Sequence, residues 1–283
     1  MNENVNELFG DLRSMMTAGD PDPRELYWLL ESAYNEDPDV YLDQWKGYLL
    51  HYSPVELLIT SLEELDMLPL LLPKERLQAV NLSMTGHHLR KWHFEHIADS
   101  EASWFLRTLN ISNNQAKHHY PAAFAHTETL INLHTLNMSG CDLHDLVAEW
   151  ILRAPFLASV RELDLSENPL TTHDIEVLAA NENIANIERL ILTNCGINHA
   201  GVFALVESPH FENLKELDLT GSALTQSSFI LLADWPQVAK ITTLDLPWKS
   251  ITLKTREYML SSEFFSEEMK DFIFEQTLPQ PNE

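Results

Sequence analysis

Hydrophobic residues recur at a fixed spacing through most of the chain. Residues 160–170, Val-Arg-Glu-Leu-Asp-Leu-Ser-Glu-Asn-Pro-Leu, have the form L-x-x-L-x-L-x-x-N-x-L. The same form begins at Leu106, Leu133, Ile187, Leu214 and Ile241, with a poorer copy at Leu77. From Leu106 onward every copy follows the preceding one at the same interval, and only the interval after Leu77 is slightly longer. Copies held in constant phase predict a stack of equivalent structural units.

The second half of each unit has helical spacing. In residues 173–180, Ile175, Leu178 and Ala179 fall at i, i+3 and i+4, which places them on one helix face. Thr171 or Thr172 and Asn198 stand where a helix N-cap is preferred. Each unit is therefore predicted as a strand, a turn and a short helix, and the chain as an α/β solenoid of about seven units of 27–29 residues. Because helices are wider than strands, the stack is expected to curve into a horseshoe with the strands inside.

This pattern resembles the leucine-rich repeat family, and within it the ribonuclease-inhibitor-like subtype with long, helix-bearing repeats. The position that is Asn in the family reads Thr85, Asn114, Cys141, Asn168, Cys195, Ser222 and Lys249. The resemblance implies that these side chains serve backbone groups of the turn inside the stack. It therefore makes Cys141 and Cys195 structural residues, and the two repeats between them place them too far apart to form a disulfide.

The segments at the two ends are predicted to cap the stack, because an open solenoid exposes its core there. Residues 1–72 are expected to form an acidic helical domain with helices near 6–16, 23–34, 40–51 and 54–67, residues 73–251 the repeats, and residues 252–283 a helical cap with a loose tail. Residues 20–31 are similar to a short helical domain that precedes leucine-rich repeats in some bacteria. Residues 53–62 look like the opening of an F-box, although the rest of that motif is missing.

The charge of the chain restricts its partners. It carries 43 Asp and Glu against 18 Lys and Arg, a formal net charge of −25. Such a chain lacks the basic surface that nucleic-acid binding requires, so no nucleic-acid partner is expected. No apolar run approaches a membrane span, and the first residues lack the pattern of a secretory signal. With only two cysteines, the sequence favours a reducing, cytoplasmic location without membrane association.

Candidate partner-binding residues follow the predicted inner face of the sheet. Side chains between the core leucines alternate onto that face. In the C-terminal repeats this face is acidic, and the candidate residues there are Glu162, Asp164, Glu167, Arg189, Glu216, Asp218, Asp245 and Trp248. An acidic concave surface with one exposed aromatic side chain suits a protein partner with a basic surface. The alternative is that these positions form a solvated strand face, on which small Ser, Thr and Asn side chains hydrogen-bond across strands.

Histidines are concentrated in one part of the chain, since nine of the 13 lie in residues 87–144. His93 and His96 have a spacing that fits metal binding on one helix face, but no third ligand is specified. Three interpretations stay open: a metal site, a pH-responsive patch, and exposed loop histidines. No metal or cofactor is predicted, because the chain lacks phosphate-binding loops, dinucleotide-binding turns and hydrolase motifs.

The sequence thus predicts a non-catalytic protein–protein interaction module that binds a protein partner through the concave face. The alternative function is an adaptor or secreted effector. In that case the N-terminal helices would recruit enzymatic machinery, while the repeats select the target. An enzyme in its own right is not expected.

Overall fold

The computed structural model of the protein describes residues 3–18, 22–36, 38, 41, 55–72, 77–115 and 120–277. The predicted helix at 40–51, except for Tyr41, and the tail at 278–283 lie outside the described residues. So do His118 and His119 of the histidine-rich segment.

Helices and strands alternate along the described chain. The strands are β1 (Val55–Ile59), β2 (Leu77–Ser83), β3 (Leu106–Asn110), β4 (Thr135–Asn137), β5 (Glu162–Asp164), β6 (Arg189–Ile191), β7 (Glu216–Asp218) and β8 (Thr243–Asp245). The helices are α1 (Glu3–Ala18), α2 (Pro23–Glu36), α3 (Leu62–Leu71), α4 (Lys91–Asp99), α5 (Asp145–Leu152), α6 (Thr172–Ala179), α7 (His199–Glu207), α8 (Gln226–Ala233), α9 (Leu253–Ser261) and α10 (Glu267–Gln276). Short 3₁₀ helices precede several strands, and residues 120–126 form one where the second repeat was expected to have an α-helix.

The eight strands form one parallel sheet in sequence order, from β1 to β8. From β3 onward each strand pairs with the next at a constant offset of one repeat, as in Leu136↔Leu163 and Leu163↔Leu190. These strand leucines are buried, and the residues on either side of each face outward. The predicted order of strand, turn and helix is confirmed, and so are the N-caps of α6 and α7. The side chain of Thr171 accepts a hydrogen bond from the Asp174 N–H, and that of Asn198 from the N–H groups of Ala200 and Gly201.

Buried polar side chains bind the turns to one another, as the family resemblance implied. The amide oxygen of Asn168 accepts hydrogen bonds from the N–H groups of Cys141 at 3.0 Å and Leu143 at 2.9 Å. The Cys141 thiol donates to the Ile111 carbonyl at 3.1 Å, and the Cys195 thiol donates to the Leu165 carbonyl at 3.0 Å. Both cysteines are buried and unpaired with each other. Their role is therefore structural.

The sheet begins earlier than the sequence analysis expected. A helix was predicted over residues 54–67, but its first half is the strand β1, so that part of the prediction is wrong. β1 pairs with β2 through Leu58↔Asn81 and Ile59↔Leu82, and α3 starts after Ser61, whose hydroxyl caps it by accepting from the Glu64 N–H. The strand is favoured because it pairs with the otherwise open edge of β2. A domain boundary after residue 72 would fall inside this sheet.

Two pairs of helices lie at the ends of the sheet. At the N-terminal end, α1 packs on α2, and the Arg24 guanidinium of α2 binds both carboxylate oxygens of Glu64 at 2.6 Å. At the C-terminal end, α9 and α10 bury Met259, Met269 and Ile273 against the last repeat. These two helices thus cover the apolar end of the last repeat.

Candidate protein-binding surface

The predicted acidic residues of the inner face lie in two rows across neighbouring strands. One row runs Glu162, Arg189, Glu216 and Thr243, and the other runs Asp164, Ile191, Asp218 and Asp245. Their side chains alternate with buried leucines, so both rows point away from the core. The structure thus brings together five carboxylates, Glu162, Asp164, Glu216, Asp218 and Asp245, around the guanidinium of Arg189. We call this set of six residues the acidic face.

Arg189 is the single cation of the acidic face, and it forms an ion pair with Glu216. The Nε of Arg189 lies 3.2 Å from an oxygen of Glu216, and both side chains are about half exposed. A pair in that setting contributes little stability, because water screens it and two long side chains must be held in place. One guanidinium beside five carboxylates leaves a net negative surface.

Two of the aspartates are held in position by neighbouring polar groups. Asp164 accepts a hydrogen bond from the Asn137 amide at 3.0 Å and from the N–H of Ser166 at 2.9 Å. Asp218 accepts one from the Thr193 hydroxyl at 2.8 Å and from the N–H of Thr220 at 2.7 Å. These bonds, two of which cross strands, fix the carboxylates on the sheet surface. The expectation that polar side chains hydrogen-bond across strands is confirmed here.

Asp245 stands at the crowded end of the acidic face. Burial raises the pKa of its carboxyl above the ordinary value, and the neighbouring carboxylates of Asp218 and Glu216 raise this pKa further. The more distant Arg189 opposes them with a smaller effect. Burial is the main cause of this raised pKa, and the two neighbouring carboxylates add to it because like charges disfavour ionisation.

Glu167 lies beyond the strand face, in the turn that follows β5. Its backbone is in the left-handed region, with φ of 58°, and its side chain accepts a hydrogen bond from the Asn194 amide at 2.6 Å. The same turn position is Asn113, Gly140, Asn194 and Gly221 in other repeats, and all four also have positive φ. Glu167 therefore belongs to this row of turn residues, at the rim of the acidic face.

Trp248 was expected to be an exposed anchor on this surface, and that expectation is wrong. Its side chain is 8% exposed and packs between Phe229 of α8 and Phe272 of α10, at ring distances of 6.4 and 6.1 Å. The C-terminal cap covers it because the end of the stack would otherwise expose this large apolar ring. Its indole N–H has no hydrogen-bond partner among the residues that the structure describes. Trp248 is thus a core residue of the cap.

The histidines do not converge on a metal site within the described ranges, where no group of three potential ligands forms. His96 pairs with Asp66 at 2.9 Å, while His93 accepts from the N–H of Arg90 at 2.9 Å and stacks on Trp92. The two histidines therefore have separate structural contacts. Burial is the main cause that lowers the pKa of His93 below its ordinary value.

The charged residues that precede the strands were not among the candidates from the sequence. Glu188 bridges Arg161 and Lys215, each at 2.6 Å, and these two cations lower the pKa of its carboxyl. All three occupy the same position in successive repeats. The repeat period could have shown this row, because residues one period apart become neighbours in a parallel stack.

Comparisons with known proteins identify one of these repeats directly. Residues 159–180 match the family model described as Leucine Rich Repeat. A search of curated proteins found no significant match. Solved structures with a similar fold include an internalin (inlF) from Listeria monocytogenes, with 18% identity, a TM-score of 0.44, and coverage of 68% of this chain and 47% of that one.

Two plant structures are also similar. The Arabidopsis receptor kinase HAESA LRR ectodomain, in complex with an N-terminal extended IDA peptide hormone ligand, shows 17% identity and a TM-score of 0.37 over 71% of this chain and 29% of that one. The LRR ectodomain of GASSHO1/SCHENGEN3 from Arabidopsis thaliana, in complex with CASPARIAN STRIP INTEGRITY FACTOR 2, shows 19% identity and a TM-score of 0.34 over 61% and 22%. This chain spans less than half the length of each of these three proteins.

The parallel sheet with its accompanying helices and the matched repeat define an α/β leucine-rich repeat solenoid. Within the described part of the chain, no helix is long and apolar enough to cross a membrane.

Proposed function

We propose that this chain is a non-catalytic protein-interaction module that binds a protein partner with a basic surface through the acidic face. The observation that carries the proposal is the placement of five carboxylates around one guanidinium on neighbouring strands. Leucine-rich repeat solenoids typically act as interaction modules, because their stacked strands present a broad continuous surface. The sheet supplies such a surface here.

Charge and rigidity both favour this surface over other parts of the chain. A lysine or arginine side chain approaching Asp245 would stabilise the carboxylate that Asp218 and Glu216 destabilise. The hydrogen bonds to Asp164 and Asp218 hold these groups in place before a partner arrives. A preorganised charged surface loses less side-chain freedom on binding and speeds the encounter with an oppositely charged partner.

A lysine-rich peptide labelled with fluorescein tests this proposal by fluorescence anisotropy on the full chain. Replacing Glu162, Asp164, Glu216 and Asp218 by Lys should weaken binding by at least about tenfold, because four anchoring carboxylates become repulsive. The loss should shrink at high salt, as screening weakens both attraction and repulsion.

The matched control carries the same change in net charge on exposed positions of the helices. Replacing Glu176, Glu207, Glu257 and Glu275 by Lys should weaken binding by less than about threefold, since these groups are screened from the peptide. Equal losses in the two variants would mean that only the total charge matters. That result would overturn the assignment to the acidic face.

We also propose a repeat subtype, a cellular location and a restriction on partners, each from its own observation. The repeat length and the alternation of Asn114, Cys141, Asn168 and Cys195 support the ribonuclease-inhibitor-like subtype. The two buried, unpaired thiols support a reducing, cytoplasmic location. The absence of a nucleic-acid partner rests on the net charge of −25.

A second candidate function is the adaptor or secreted effector, in which the N-terminal helices recruit other machinery. Trp28 of α2 favours it, because this side chain is 55% exposed beside a cavity of about 500 Å³ that Asp11, Met15 and Leu29 also line. An exposed tryptophan at a cavity is a typical energetic anchor. We call the variant with Glu162, Asp164, Glu216 and Asp218 replaced by Lys the acidic-face variant. If the adaptor function holds, an enzyme that copurifies with the chain should be lost from Trp28→Ala and retained by the acidic-face variant.

A further inference from the structure

Two adjoining cavities open on the loops that precede strands β3 to β5. The first, of about 520 Å³, is lined by Glu101, Trp104, Phe105 and Glu128, among others. The second, of about 250 Å³, is lined by Glu128, Ile131 and Phe156, among others. Because Glu128 lines both, the cavities form one groove across three consecutive repeats. We call it the loop groove.

The loop groove exposes large apolar side chains that the repeat scaffold does not require. Trp104 is 51% exposed and Ile131 is 48% exposed. Both occupy the position two residues before the repeat start, which reads Ala158, Ala185, Glu212 and Ala239 in the next four repeats. The stack therefore tolerates a small or polar residue here, and core packing does not account for an exposed Trp and Ile.

The charge of the loop groove is negative and uncompensated. Glu101 and Glu128 are exposed, and neither makes an ion pair or a side-chain hydrogen bond within the described residues. No lysine or arginine is among the described residues that line either cavity.

The neighbouring hydroxyls are already occupied. Those of Thr127 and Thr129 donate to the Ala98 carbonyl at 2.7 and 2.8 Å, and that of Ser159 donates to the Phe156 carbonyl at 2.8 Å. The two carboxylates are thus the charged groups of the groove and its strongest acceptors for a cationic ligand.

We propose that the loop groove binds an extended segment of a partner protein that carries a Lys or Arg at position i+2 and apolar side chains at positions i and i+4. In an extended segment, residues i, i+2 and i+4 point to the same side, with successive ones about 7 Å apart, so the basic side chain faces the groove between the two apolar ones. The apolar side chains pack against Trp104 and Ile131 in the two cavities. The cation pairs with Glu101 and Glu128, and the Trp104 ring adds a favourable face for it. Trp104 and Ile131 precede their strands, so this site is separate from the acidic face.

Selection of a displayed random heptapeptide library on the immobilised full chain tests the proposal. Enriched peptides should contain a Lys or Arg with apolar residues two positions before it and two positions after it. A synthetic peptide of the enriched sequence should then lose at least about tenfold in affinity on Trp104→Ala, and also on Glu128→Lys, because these changes remove an anchor and reverse a charge.

The repeats supply matched controls. Glu182→Lys changes the same repeat position as Glu128 two units further on, and Phe203→Ala removes an aromatic side chain of α7 that is 52% exposed. Both should change the affinity by less than about twofold, since neither lines the groove. Trp104→Ala should retain the circular dichroism spectrum and unfolding transition, as the alanines at equivalent positions indicate.

The outcomes separate this site from the acidic face. The acidic-face variant should bind the enriched peptide with unchanged affinity. Three results would overturn the proposal: no enrichment, enriched peptides without a basic residue, or binding that Trp104→Ala and Glu128→Lys leave intact. Loss of binding in the acidic-face variant alone would place the peptide on the other surface and reject the loop groove.

Discussion

Asn168 shows how single side chains hold the stack together. It is 1% exposed, and besides its two bonds to the turn of the preceding repeat its amide donates to the carbonyls of Met138, Leu165 and Ser166. A cysteine at the same position has a single S–H to donate, and the Cys195 thiol lies 3.0 Å from the Leu165 carbonyl and 3.6 Å from the Thr193 carbonyl. Burial raises the pKa of the Cys141 and Cys195 thiols to about 11, so both stay protonated and available as donors at neutral pH.

The prediction at this scale concerns Asn168→Ala. The change leaves two buried N–H groups and three carbonyls without this partner, and we expect the free energy of unfolding to fall by roughly 3–5 kcal/mol. Urea unfolding followed by circular dichroism measures it. Asn213→Ala is the control, since this exposed amide donates only to the Ala185 carbonyl, and it should cost less than about 1 kcal/mol. A similar loss of unfolding free energy in the two variants would contradict a central role for the buried Asn and Cys side chains of the turns.

Among the elements, β1 and α3 connect the N-terminal helices to the repeats. β1 buries Leu57 and Ile59, and α3 buries Leu62, Leu65, Leu68 and Leu71. Arg24 of α2 also donates to the Leu58 carbonyl at 3.2 Å, in addition to its pair with Glu64. These contacts make residues 55–72 part of the solenoid end.

Truncation tests whether residues 55–72 stabilise the repeats or belong to a separate unit that ends at residue 72. A chain that starts at residue 73 loses β1 and α3 and exposes the edge of β2, so its thermal midpoint should lie several degrees below that of a chain starting at residue 52. Differential scanning calorimetry of both, with the full chain as reference, measures the difference. Equal midpoints would show that β1 adds nothing to the stability of the repeats.

Across the whole molecule, the charge of −25 acts against compactness. Exposed ion pairs, such as Arg161 with Glu188, contribute little, and the mostly buried pair of Arg24 with Glu64 is the stronger contact. Repulsion among the excess carboxylates then dominates the electrostatic part of folding. A partner or dissolved salt that screens these charges should stabilise the fold.

Salt therefore should raise the thermal midpoint of the full chain. Between about 50 mM and about 500 mM NaCl, where the screening length falls well below 10 Å, we expect an increase of a few degrees. The acidic-face variant has fewer excess carboxylates, so its increase should be smaller. A midpoint that falls with NaCl would mean that attractive pairs outweigh repulsion.

The sequence by itself determined the repeated part of the protein. The constant period of the repeats converts sequence spacing into contact, because parallel strands stack in register from one repeat to the next. Leu163, Asn168 and Cys195 could therefore be assigned to the core, and Glu162, Asp164, Glu216 and Asp218 to one face. Each of these assignments depends only on the position of the residue within its repeat.

Only the tertiary structure decided the ends of the stack. Residues 55–59 fit a helical or an alternating pattern equally well, and the open edge of β2 selects the strand. Trp248 lies at the turn position of the last repeat, which the exposed Glu167 occupies in an earlier one, yet Phe272 of the cap packs against Trp248 and helps to bury it. Contacts at an end have no counterpart one repeat further on. The repeat period therefore predicts the interior contacts of a solenoid but not the segments that cover its two ends.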